Sequence, residues 1–184
     1  KTLGKDCFIV SEPNGKSLGK FLDKVKNDEE YKDIILNEEE ALEVITKNTL
    51  LIIVDTHKTS YVEFPDLLEK IDRKVIIDHH RKAPDCIENP LISFHEVYAS
   101  SASELVTEII QYSQENVELK LIEAESLYGG IMVDTKDFTF KTGVRTFEAA
   151  AYLKKTGIDM TKPDTINDAL KVFKEKVEEL KELL

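Results

Sequence analysis

Cysteine is scarce in this chain, basic charge is in deficit, and long apolar runs are missing. Cys7 and Cys86 are the only cysteines, too few for a disulfide framework or a thiolate metal cluster, which points to a reduced, cytosolic setting. Lysine and arginine total 25 against 36 acidic residues, a formal net charge of −11. That balance disfavours a broad basic surface for duplex nucleic acid. It leaves room for a small anionic substrate, because a metal ion or a local Arg/Lys/His cluster reverses the potential inside a site. No uncharged apolar run approaches the roughly 20 residues that span a bilayer, and no signal peptide, internal repeat or low-complexity segment is visible.

What the sequence does have is an ordinary globular composition. Its 184 residues are 41% hydrophobic and 33% charged, enough for one domain with a sizeable core and a small appendage. Short β-branched runs alternate with acidic helical stretches, the βαβ signature of an α/β fold with a mainly parallel, Rossmann-like sheet flanked by helices. The clearest buried strands are Leu50–Val54 and Lys74–Ile77. Weaker strands are expected over Asp6–Val10 and Leu91–Phe94. Helices are expected over Ser17–Lys26 (after a turn at Ser11–Gly15), loosely over Ile35–Ile45, and briefly after Pro65. Further helices are expected over Ala102–Tyr112, Leu119–Met132 and Thr146–Lys155, the last stopped by Gly157 as a left-handed cap. Residues 1–160 then form the domain, and 161–184, strongly helical after Pro163, a terminal helix or linker stub.

The chemistry gathers where strands end. Asp55 and His57 follow the first buried strand, and Asp78, His79 and His80 end the second, where open α/β sheets bind ligands. Asp134 and Asp137 form a third acidic site in GGIMVDTKD. Carboxylate and imidazole suit Mn²⁺ or Mg²⁺, and two such ions can activate water and clamp a phosphoryl oxygen. Each residue also has a plainer reading. Asp55 can cap a following helix, Asp137 a turn, and His95 can lie on the surface. Neighbours in an extended segment point to opposite sides, so one of His79 and His80 can hold metal while the other faces substrate, with Asp78 orienting an imidazole. Arg81, Lys82, Lys136, Lys141 and Arg145 bring positive charge. Arg145 near a helix start meets either a phosphate or solvent. Glu104 either bonds a ligand histidine or stabilises the start of its helix.

The segments VDTH, VIIDHHRK, SSASELVTE and GGIMVDTKDFTFKTGVRTFEAA together resemble the DHH phosphoesterase family, over about Leu50 to Gly157. The resemblance is strongest to the cyclic-di-AMP phosphodiesterase branch, whose members carry a membrane anchor, a PAS domain and a degenerate GGDEF domain upstream. It implies two Mn²⁺ ions and hydrolysis of cyclic-di-AMP to pApA by a metal-bridged hydroxide. It also implies that Asp55, His79 and Asp134 are metal ligands, catalytic together with His80. His80, Arg145 and His57 would meet the cyclic dinucleotide, with Asp78 and Glu104 in support. Related activities on pApA or short oligoribonucleotides are the alternative, as is a non-catalytic nucleotide-binding or structural role.

The family's first strand, with a motif of one histidine and two aspartates, has no counterpart in the sequence, nor does its glycine-rich C-terminal substrate domain. The expectation is therefore a membrane-anchored parent that supplies both in cis, and a soluble chain, weakly active or inactive alone. An unpaired sheet edge would leave a homodimer open to it.

Overall fold

The computed structural model describes residues 5–11, 19–113 and 117–159. Part of the expected Ser11–Gly15 turn, the start of the first helix, and the whole 161–184 tail with its boundary lie outside them.

The architecture is α/β, with parallel strands flanked by helices. Strands β1 (Ile9–Val10) and β2 (Ile35–Leu36) pair in parallel, with helix α1 (Gly19–Asn27) between them. Helix α2 (Glu38–Val44) follows β2 directly. The second sheet contains β3 (Leu51–Val54), β4 (Lys74–Asp78) and β5 (Ile92–His95), all parallel in that order. Helix α3 (Pro65–Lys70) connects β3 to β4, and α4 (Ala102–Tyr112), α5 (Leu121–Thr135) and α6 (Val144–Lys154) complete the fold.

Alternation along the strands builds three layers. Ile53 and Ile76 face one way, into a cluster with Leu68 of α3 and Ile87. Ile77 faces the other way, packed with Leu105 of α4 and Ala99. Both faces of the central strand are thus covered, as parallel sheets require. Behind α4, helices α5 and α6 share a core of Ala124, Ile131, Ala149 and Leu153.

Several boundaries shift from the sequence expectation, each for a local reason. Ile35 and Leu36 are strand rather than helix, because they pair with Ile9 and Val10. Asn37 then caps α2: it accepts from the Glu40 amide and donates its own amide to the Glu40 carboxylate. Glu40 is therefore a capping residue. Helix α5 runs to Thr135, which puts Asp134 in its last turn. Beyond it Lys136, Asp137 and Phe138 take φ of 49°, 58° and 59°, a left-handed turn. Gly157, at φ 91°, is left-handed as its position predicted. The membrane expectation is corrected: among the described residues no helix is long and apolar enough to cross a membrane.

Candidate metal centre

Sheet register brings the strand ends together. Val54 pairs with Ile77, and Asp78 with His95, so Asp55, Asp78 and His95 lie side by side on the C-terminal edge. The Asp55 amide still donates to the Ile77 carbonyl at 2.9 Å. Its φ is 65°, a left-handed conformation costing a non-glycine residue on the order of 1 kcal/mol. Such strain clusters at functional sites. The 3₁₀ turn that follows (Thr59–Tyr61) begins without a side-chain cap, so the capping alternative for Asp55 does not hold. Instead Asp55 Oδ1 lies 3.3 Å from His79 Nε2.

His79 is buried, and the same Nε2 lies 3.6 Å from Asp134 Oδ2. Its Nδ1 faces the Ala99 carbonyl at 3.4 Å, a contact that favours protonation there and a lone pair on Nε2. When His79 is protonated its Nε2 donates to the Asp55 carboxylate, which, opposed by burial and helped by the Asp134 charge, raises the His79 pKa. Burial, followed by repulsion from Asp55, pushes Asp134 up to about 6 despite His79, His80 and Lys141 nearby. Two carboxylates thus crowd one imidazole, and carboxylate with imidazole suits a divalent cation. Asp55, His79 and His80 offer atoms close enough to hold one ion together.

Asp78 is fully buried and binds two histidines with its two oxygens. One oxygen takes His57 Nδ1, and the other takes His80 Nδ1 at 2.8 Å and the His80 amide at 3.2 Å. Burial alone would raise its pKa, but the bonds from His57 and His80 outweigh it and bring the carboxyl down to about 2. Asp78 therefore orients His57 and His80, and Ala99 orients His79. The opposite-sides expectation fails, because β4 ends at Asp78 and Asp78 draws His80 back. The two rings stand 4.5 Å apart.

Three sequence expectations change. His57 is buried with both nitrogens committed: Nδ1 to Asp78, and Nε2 accepting the Ala83 amide at 3.0 Å. As folded it has no nitrogen for substrate. Arg145 is not in the cleft: its Nε and Nη2 fork onto Glu108 at 2.7 and 2.6 Å, which raises its pKa, and ties α6 to α4. Glu104 bonds no histidine. Its buried carboxylate accepts from the Ser100 hydroxyl and amide at 2.6 and 3.2 Å, which secures the loop carrying the Ala99 carbonyl.

Sequence reasoning missed His95, whose Nε2 meets the His80 carbonyl and whose ring lies 4.7 Å from that of His57. With His57 and Asp78 it makes a second group close enough to hold an ion. Only the β4–β5 register identifies it. The cluster opens into a cleft of about 700 Å³ lined also by Lys58, Tyr61, Arg81, Val97, Tyr98 and Lys141.

Residues 16–131 match the family described as DHH family, N-terminal domain. The chain is 46% identical over 157 residues to the cyclic-di-AMP phosphodiesterase GdpP of Bacillus subtilis (strain 168), covering 84% of this chain and 24% of that protein. It is 41% identical over 158 residues to the cyclic-di-AMP phosphodiesterase PdeA of Listeria monocytogenes serotype 1/2a (strain 10403S), with the same two coverages of 84% and 24%. An exopolyphosphatase-related protein from Bacteroides fragilis superposes with a TM-score of 0.63 at 25% identity, over 81% of this chain and 44% of that one. The chain thus spans about a quarter of the length of the curated relatives it matches.

Proposed function

We propose, since the chain belongs to the DHH family and is closely related to its GdpP and PdeA members, that it forms the metal-holding part of a manganese-dependent phosphodiesterase. Its substrate is cyclic-di-AMP, opened to pApA. The observation that supports this most is His79 Nε2, 3.3 Å from Asp55 and 3.6 Å from Asp134 with its other nitrogen tied to the backbone.

Asp55, His79 and Asp134 are the residues that would hold manganese. The ion, when bound, supplies Lewis acidity and lowers the pKa of the attacking water. Ala99 keeps His79 in the ligating tautomer. Asp78 engages His80 through Nδ1, which leaves Nε2 for a phosphoryl oxygen. Arg81 and Lys141 in the cleft wall draw an anionic substrate to an otherwise acidic chain.

Three protein donors and water satisfy one ion, whereas a two-ion centre needs more. By this reading the chain alone binds one ion and turns over slowly, with further donors and the nucleotide-holding surface supplied in cis in a longer protein. Homodimer formation through the edge of β3 that pairs with no strand among the described residues belongs to the same reading. The test is chromatographic assay of cyclic-di-AMP with manganese, using the chain, a longer protein containing it, and His79→Ala in both. Manganese-dependent pApA should appear, faster from the longer protein. The substitution should cut the rate more than about 100-fold, since even outer partners of metal ligands cost about 10- to 100-fold. Hydrolysis unaffected by His79→Ala would contradict the assignment.

A further inference from the structure

The rim of the cleft carries a side chain that packing does not account for. Tyr98 is 89% exposed, although its backbone is held firmly. Its amide donates to the Glu96 carboxylate at 3.2 Å, and the Ala99 amide donates to the Glu96 carbonyl at 3.1 Å. The next residue, Ala99, is buried and presents the carbonyl that faces His79 Nδ1. Tyr98 is therefore one peptide unit from the group that orients a metal ligand. Both Tyr98 and His79 line the same cleft.

A nearly bare aromatic ring on a fixed turn has lost little freedom by the time a flat ligand arrives. That is the condition under which stacking gives affinity. The cleft's other tyrosine is less available, because Lys58 Nζ stands 4.3 Å over the Tyr61 ring. That pair places a cation in the wall and suits phosphate. Among the described residues no side chain stacks on Tyr98.

We infer that Tyr98 is the base-stacking platform of this site, holding the nucleobase of a nucleotide whose phosphate lies at the Asp55, His79 and Asp134 centre. The inference rests on the nucleotide-phosphodiesterase reading above and adds the residue that senses the base. Stacking is tolerant of base identity, since every base has a π-face, so Tyr98 sets affinity for nucleotides over plain phosphoesters without choosing among bases.

The experiment compares AMP with ribose 5-phosphate, two ligands that share a phosphate and sugar and differ in the base. Their dissociation constants are measured by calorimetry on the manganese-loaded chain and on Tyr98→Ala and Tyr98→Phe. The wild type should bind AMP about 5- to 150-fold more tightly than ribose 5-phosphate, the span of single-base stacking. Tyr98→Phe should keep that ratio and Tyr98→Ala should bring it close to one, with ribose 5-phosphate affinity and manganese binding unchanged. A ratio near one in the wild type, or one preserved in Tyr98→Ala, overturns the inference. If cyclic-di-AMP is not cleaved while the Tyr98-dependent ratio persists, the proposed reaction fails and the stacking role stands.

Discussion

At the scale of single residues, Asp78 and Asp134 show how burial, which raises both carboxyls, ends in opposite net shifts once the partners differ. Asp78 meets two imidazole donors and titrates at about 2, below the ordinary 3.8. Its contribution to stability, on the order of 2 kcal/mol, is present above pH 4 and lost as pH falls toward 2. Asp78→Asn should remove that acid dependence in metal-free denaturation curves and lower the melting temperature at neutral pH. Asp134 is raised to about 6, by burial first and then by the neighbouring Asp55 carboxylate. It must lose its proton to bind a cation, as must the raised His79, so manganese affinity should climb steeply as pH rises through 6. Calorimetric titration in buffers of different ionisation enthalpy should show proton release near pH 6, diminished in Asp134→Asn. The sequence offered Asp55, His79 and Asp134 as candidates because each lies at the end of a recognisable apolar segment, and the fold brings the three together. The positions of His95, Tyr98 and the Ala99 carbonyl beside them were not legible. They depend on strand register and loop path, which residue type does not encode.

Among the elements, the end of α5 matters most, because it aims Asp134. Three successive non-glycine residues there are left-handed, a conformation usually confined to single positions. Thr135 holds them. Its hydroxyl donates to the Ile131 carbonyl at 2.7 Å and accepts the Phe138 amide at 3.0 Å, while its carbonyl accepts from the Thr139 and Phe140 amides at 2.9 and 2.8 Å. Phe138 is also wedged between Tyr128 and Phe147, each 5.7 Å away. Thr135→Val keeps the shape and deletes the hydroxyl bonds, so it should cost about 1–3 kcal/mol and weaken manganese binding together with stability. Along the same helix a Cβ on Gly130 would come within 3.0 Å of Ser103 Cβ and 2.1 Å of its Oγ. Gly130→Ala should therefore destabilise the α4–α5 contact, by about 1–3 kcal/mol in urea denaturation. Apolar periodicity located these helices well. Their ends were displaced by features it does not contain, namely capping bonds at Asn37 and Thr135 and the pairing that drew Ile35 and Leu36 into a strand.

For the molecule as a whole, the parallel sheet places its C-terminal edge, the Asp–His cluster and the cleft on one side of a predominantly acidic protein. β3 pairs only with β4 among the described residues, and Ile52 and Val54 on it are 55% and 51% exposed. Sedimentation should show association rising with concentration, reduced by Ile52→Lys with Val54→Lys. The α/β class and the sheet edge that carries the Asp–His cluster could be read from the strand–helix alternation, whereas the membrane expectation found no supporting helix among the described residues. The central claim is that a divalent cation sits among Asp55, His79 and Asp134, and a second Asp–His group in the fold makes that claim exposed to a clear test. An anomalous difference map at the manganese edge, from crystals grown with manganese, decides between them. The expected result is a peak in contact with His79 Nε2, Asp55 and Asp134. A peak only at His57, Asp78 and His95, or none at the three predicted ligands with manganese at millimolar concentration, would contradict it.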